Sequence, residues 1–198
     1  MIRQLLLYTF IIIFATSSKM TTESSYEVSI VQPGTFKIKG SSNVNNFSLE
    51  YKKPVIGKKL VSFGDDINNR ISLKGDTQIS LDINGFSSSQ SFILRDFKKM
   101  IKSDNYPTID INLARFIKSD NPNKIYAMAI ISIANTKRLE IMPVVINKTN
   151  EDTYNFKSSY KISLKNYNLD PPQKMMGMIA VNDDVSIDLT LTVRFKKI

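Results

Sequence analysis

From Phe36 onward the chain repeatedly alternates apolar with polar residues. Phe36 and Ile38 enclose Lys37, Phe47, Leu49 and Tyr51 are spaced by Ser48 and Glu50, and Ile79, Leu81 and Ile83 by Ser80 and Asp82. A period of two belongs to a strand with one face on a core and the other in water. The second half is more regular. Ile109, Ile111 and Leu113 predict one strand, Tyr126, Met128 and Ile130 another, and Leu139 and Ile141 a third, with Val145 beyond Pro143. Tyr154 and Phe156 come next, then Tyr160, Ile162 and Leu164. The last stretch, Val185 to Phe195, alternates for eleven residues without a break, enough to cross a sheet alone.

Turn residues separate these stretches: Pro33-Gly34, the run from Gly64 to Asn69, Lys118 to Asn123, Asn147 to Asn150, and Asp170-Pro171-Pro172. Short strands joined by short turns, with no strand-helix-strand rhythm, predict a single all-β domain, either a sandwich or an antiparallel barrel. One segment departs. In Ser91 to Ser103, Phe92, Ile93, Phe97, Met100 and Ile101 follow helical spacing while Arg95, Asp96, Lys98, Lys99 and Lys102 stay polar, which predicts a short helix across one mouth of a barrel.

The N-terminus changes the picture. Arg3 precedes an uncharged run from Leu5 to Ala15, rich in Leu, Ile and Phe, and small residues at Ala15 and Ser17 follow. That order predicts a signal peptide over residues 1–18 and a mature domain over 19–198. The run is about half the roughly 20 residues a membrane span needs. The expected location is the periplasm or outside the cell.

Composition removes whole classes of chemistry. The chain has no Cys and no His, so disulfides, thiol nucleophiles, imidazole proton shuttles and the usual zinc, copper or haem ligands are not expected, nor is any cofactor. Asp65, Asp66, Asp183 and Asp184 stand in turn-like sequences, and the glycines stand singly, so neither a carboxylate pair nor a phosphate-binding loop is indicated. The formal charge of +9 is spread over scattered lysines. It fits a solvated basic surface or contact with an anionic membrane surface, not nucleic acid in an exported protein.

Three segments, in the correct order, resemble the YceI-like family. Arg95-Asp96 opening a short helix, followed by Tyr106-Pro107-Thr108-Ile109, is similar to that family's helix and next strand. Ile131 to Val144, with Thr136-Lys137 after the turn and Pro143-Val144 at the end, is similar to its hairpin, although Ala134-Asn135 replace the usual Gly-Val. Tyr160 to Leu169 and Val181 to Ile187 match its last two elements, with Asn166-Tyr167 where an acidic residue, an aromatic and a Gly are usual.

The resemblance implies an exported, extended, lipocalin-like antiparallel barrel of about eight strands, holding an apolar isoprenoid- or fatty-acid-like chain. An eight-stranded barrel has an interior just wide enough for side chains or one slender ligand. The lining candidates are Phe36, Ile38, Phe47, Leu49, Phe92, Met100, Ile101, Tyr106, Met128, Met175 and Met178, with Arg95 as the head-group candidate. Alternation shows which residues share a face, not which face is interior. A surface or stress-response protein with a filled barrel and no ligand is the alternative, and a hydrolase using a Ser/Lys or carboxylate pair a third. A two-fold dimer is expected on base rates only.

Overall fold

A computed structural model describes residues 23–55, 58–66, 70–75, 77–174 and 178–198. The expected leader, 1–18, lies outside the described residues. Strands β1 (Glu23–Ser41), β2 (Asn46–Tyr51), β3 (Lys58–Asp66), β4 (Arg70–Gly75), β5 (Gln78–Asp82) and β6 (Phe86–Ser87) precede helix α1 (Ser91–Met100). After it come β7 (Thr108–Lys118), β8 (Lys124–Ile133), β9 (Thr136–Lys148), β10 (Thr153–Ser163), the short pair β11 (Gln173–Lys174) and β12 (Ile179–Ala180), and β13 (Asp184–Lys197).

The main sheet is antiparallel and curls on itself. Its order runs β13-β10-β9-β8-β7-β4-β3-β1, and β1 also pairs with β13, so eight strands close a ring. Closure removes the free edges an open sheet would present. The long β1 serves two neighbours, pairing with β3 through Glu23 to Ser29 and with β2 through Lys37 to Ser41. Register shifts against β13 near Gln32 and Thr35 separate the two halves, at the Pro33-Gly34 turn signal. β10 is a single strand, not the two pieces its sequence suggests, and β9 continues through Pro143.

Helix α1 exists because Ile93, Phe97, Met100 and Ile101 fall on one stripe and pack against the core. An aromatic cluster fixes it: the Phe86 ring meets Phe97 at 5.3 Å, Tyr51 at 5.1 Å and Phe36 at 5.9 Å, all edge to face. The helix ends three residues before the sequence pattern does. Lys102 adopts a positive φ of 54°, and Ser103 N–H donates to the Lys98 carbonyl at 3.0 Å, a left-handed C-terminal stop made without glycine.

Candidate binding cavity

The ring is not filled by its own side chains. A cavity of about 260 Å³ runs inside it, lined from Val28, Val61 and Phe195 at one end to Ile101, Leu164 and Val185 at the other. β13 contributes a full row, Val185, Ile187, Leu189, Leu191, Val193 and Phe195, the inward half of the long alternating stretch. Facing it, β7 supplies Ile109, Ile111, Leu113 and, after a bulge, Phe116, and β8 supplies Ala127, Ile131 and Ile133. Polar groups on the wall are few: Thr77, Asp96, Ser158 and the Tyr160 ring with its hydroxyl.

Burial of such a surface from water is the force available to a ligand here. Volume limits which ligand. At about 260 Å³ the cavity lies just below the roughly 300–1,000 Å³ usual for drug-sized molecules, and its walls are strand rows about 33 Å long at ~3.3 Å per residue. That is a narrow apolar channel.

The wall includes Phe36, Ile38, Phe47, Leu49, Met100 and Ile101 from the sequence candidates. Gly40 permits the position of one of them: a Cβ there would lie 2.4 Å from the Phe47 ring, so only glycine lets the ring lie flat on β1. Beyond Phe47 a polar cleft opens, lined by Lys39, Ser48, Ser88, Gln90, Lys161 and Asp183 among others. Phe47 and Val185 border both spaces.

The other candidates stand off the wall. Phe92 falls on the shoulder of the α1 stripe and is exposed, and Tyr106 is half-buried in the loop after the helix. Met178 is 71% exposed, and Met175 lies outside the described residues. The Arg95 side chain is 76% exposed on the water side of α1, 4.0 Å from the Asp96 carboxylate, while Asp96 itself reaches the wall.

Met128 is the instructive case. Tyr126, Met128 and Ile130 point outward, and the inward row of β8 is Ala127, Ala129, Ile131 and Ile133. Both faces of β8 are apolar, so alternation favoured the row with the larger side chains. The interior instead takes two alanines, and Ala127 widens the channel opposite Phe116.

A polar device beside the wall had no signal in the sequence. The β9–β10 ladder pairs only Val145 to Lys148 with Tyr154 to Lys157. Above it the strands part, and the Ser158 hydroxyl donates to the Pro143 carbonyl at 2.8 Å. Glu140 spans the gap, accepting from the Tyr167 hydroxyl at 2.9 Å and from the Tyr160 hydroxyl. Burial, then the Glu140 carboxylate, push the Tyr160 phenol up to about 12 and raise Tyr167 as well. Tyr167 sits on a 3-10 turn, Lys165–Tyr167, held by Asp183, which accepts from the Ser163 hydroxyl and the Lys165 N–H. Those bonds, Ser163 first, hold the Asp183 carboxyl below its usual range.

A closed antiparallel ring around an unfilled apolar channel defines a lipocalin-like β-barrel. Its fold is that of the YceI-like proteins. The chain is similar to BcnA of Burkholderia cenocepacia, with 15% identity, a TM-score of 0.61 and coverage of 80% of this chain and 95% of that one. It is also similar to a polyisoprenoid binding domain from Saccharophagus degradans implicated in plant cell wall breakdown, with 8% identity, a TM-score of 0.59 and 85% and 98% coverage. The Campylobacter jejuni YceI protein matches at 11% identity and a TM-score of 0.52, over 68% of this chain and 78% of that one. No family model and no curated protein matches the sequence.

Proposed function

We propose that the protein is an exported binding protein that carries or sequesters one apolar chain, isoprenoid- or fatty-acid-like, inside its barrel. The observation that carries this reading is the closed ring around a channel of about 260 Å³ with an almost wholly hydrocarbon wall. A similar solved structure is titled a polyisoprenoid binding domain, which agrees in ligand class. The polar cleft beyond Phe47, with Lys39 and Lys161 on its walls, gives a polar head somewhere to emerge while the tail stays inside.

Binding without catalysis fits the polar groups near the channel. Tyr160 and Tyr167 stay protonated, their phenols raised by burial and by Glu140, so neither supplies a phenolate nucleophile at neutral pH. Export to the periplasm or beyond is supported by the residue order of 1–18.

Native mass spectrometry of the protein purified from its own cells, followed by solvent extraction, tests the reading. A stoichiometric adduct released as a prenyl or acyl lipid is the expected result. Protein that arrives bare and also fails to take up a fluorescent fatty acid overturns it, and leaves a barrel that serves as structure alone.

A further inference from the structure

The outer face of β8 and β9 departs from the rest of the barrel. On β10 and β13 the outward positions are polar, Ser159 and Lys161 on the one and Asp188, Thr190, Thr192 and Arg194 on the other. On β8 and β9 the register sets Ile130 beside Leu139, Met128 beside Ile141 and Tyr126 beside Pro143. Leu139 is 59% exposed and Ile141 49%. Tyr126, Ile130, Leu139, Ile141 and Val145 are five of the nine large apolar side chains exposed among the described residues. Single exposed apolar residues are ordinary, but a contiguous set marks a contact surface.

The charges that directly border this stripe on β8, β9 and β10 are basic. Lys124 lies beside Val145 at one end, Lys137 beside Ser132 at the other, and Lys157 flanks Val145 from β10. On the β7 side, Arg115 lies beside Met128. Glu140, the acid nearest in sequence, turns inward to the two tyrosines. By register the nearest outward acid is Asp110, next to Ser132 and bonded by Ser80.

We propose that this face docks the barrel on an anionic lipid bilayer, with the aliphatic stripe and Tyr126 entering the headgroup boundary and the surrounding lysines meeting lipid phosphates. A second copy of the chain fits less well. Two strands and four side-chain rows cover on the order of 300 Å², against about 800 Å² per partner in a stable interface, and pairing the face with itself would bring cation against cation. The stretch where the β9–β10 ladder ends, bridged by Glu140, borders this face.

The inference needs no assumption about cargo, and its failure would leave the carrier reading standing. Flotation of the full chain with vesicles of phosphatidylcholine, alone or mixed with phosphatidylglycerol, tests it. Binding is expected only with the anionic lipid and should weaken as salt rises. Leu139→Ser with Ile141→Ser, and separately Lys124→Glu with Lys137→Glu, should each lower partitioning roughly tenfold or more. Lys196→Glu with Lys197→Glu, the same charge change elsewhere, should retain most of it, with circular dichroism confirming the fold of each variant. Three results overturn the proposal: no binding by the parent chain, equal binding by all variants, or a dimer in solution that Leu139→Ser with Ile141→Ser dissociates.

Discussion

Tyr167 donates its hydroxyl to Glu140 at 2.9 Å from a side chain that is itself fully buried. The bond joins the turn after β10 to β9 across the stretch where those strands exchange no backbone bonds, and Tyr160 meets the same carboxylate. One acceptor therefore closes a gap in the barrel wall. Glu140→Ala would leave two phenols without partners, at about 1–3 kcal/mol for the buried Tyr167 and about 1 kcal/mol for the half-buried Tyr160, so a total loss of about 2–4 kcal/mol is expected in urea unfolding. Glu140→Gln keeps one carbonyl acceptor and should lose clearly less. Equal, small losses in both variants would mean that water replaces the carboxylate and that the seam needs no bridge.

The same cluster sets an alkaline limit. Tyr160 in the folded protein deprotonates near 12, against 10.0 for an ordinary tyrosine. Between these values the unfolded chain has released a proton that the native state keeps. Stability is thus fully present below pH 10 and falls as pH rises toward 12. Tyr167, also raised, adds to the same slope. Unfolding midpoints measured from pH 8 upward should decline more steeply for the parent chain than for Tyr160→Phe with Tyr167→Phe, and parallel curves would show that the phenols titrate freely.

A turn offers a gain. Ala134 and Asn135 both hold positive φ, 45° and 66°, in the two-residue link from β8 to β9, the geometry in which glycine or asparagine is favoured. A left-handed L-residue other than these costs roughly 1–2 kcal/mol, and glycine returns part of the relief as chain entropy. Ala134→Gly should therefore raise thermal stability by about 0.5–1 kcal/mol. A lower melting temperature would mean that the alanine methyl, which packs against the core, matters more than the strain.

What could be read from the sequence depended on contrast between the two faces of a strand. β13 alternates Val185 through Phe195 with Asp, Ser, Thr and Arg, so the two faces of that strand were legible in the sequence, though not which of them faces the channel. So was α1, whose stripe repeats at helical spacing. On β8 the contrast vanishes, because Tyr126, Met128 and Ile130 are larger than the alanines that face the channel. On β9 the pattern inverts. Leu139 and Ile141 look like a core row, yet they are exposed, and the charged Glu140 turns inward because two tyrosines 20 and 27 residues away, in β10 and its following turn, satisfy it. Periodicity records neither a partner that distant nor the need for empty space. The Phe47 position depended on Gly40, a pairing set by register between two strands and not by either strand alone.

Ala127 gives the sharpest test of whether that empty space is used. Its methyl reaches the channel wall between Phe116 on β7 and Met142 on β9, the residues beside it in register. A larger side chain there has room to enter the channel without disturbing the ladder. In a filled core, Ala127→Phe would overpack the interior and cost about 1–3 kcal/mol. In a hollow one the ring occupies part of the roughly 260 Å³ otherwise open to a ligand, at a smaller cost in stability. The expected variant is folded, with urea stability within about 1 kcal/mol of the parent, and takes up a fluorescent fatty acid at least about tenfold more weakly, since a ligand chain loses apolar contact at ~25 cal/mol per Å² along the blocked segment. Ala127→Ser, nearly the same size, should bind like the parent. A Phe variant that binds normally would place the ligand elsewhere, and one that unfolds would mean the interior was closed to begin with.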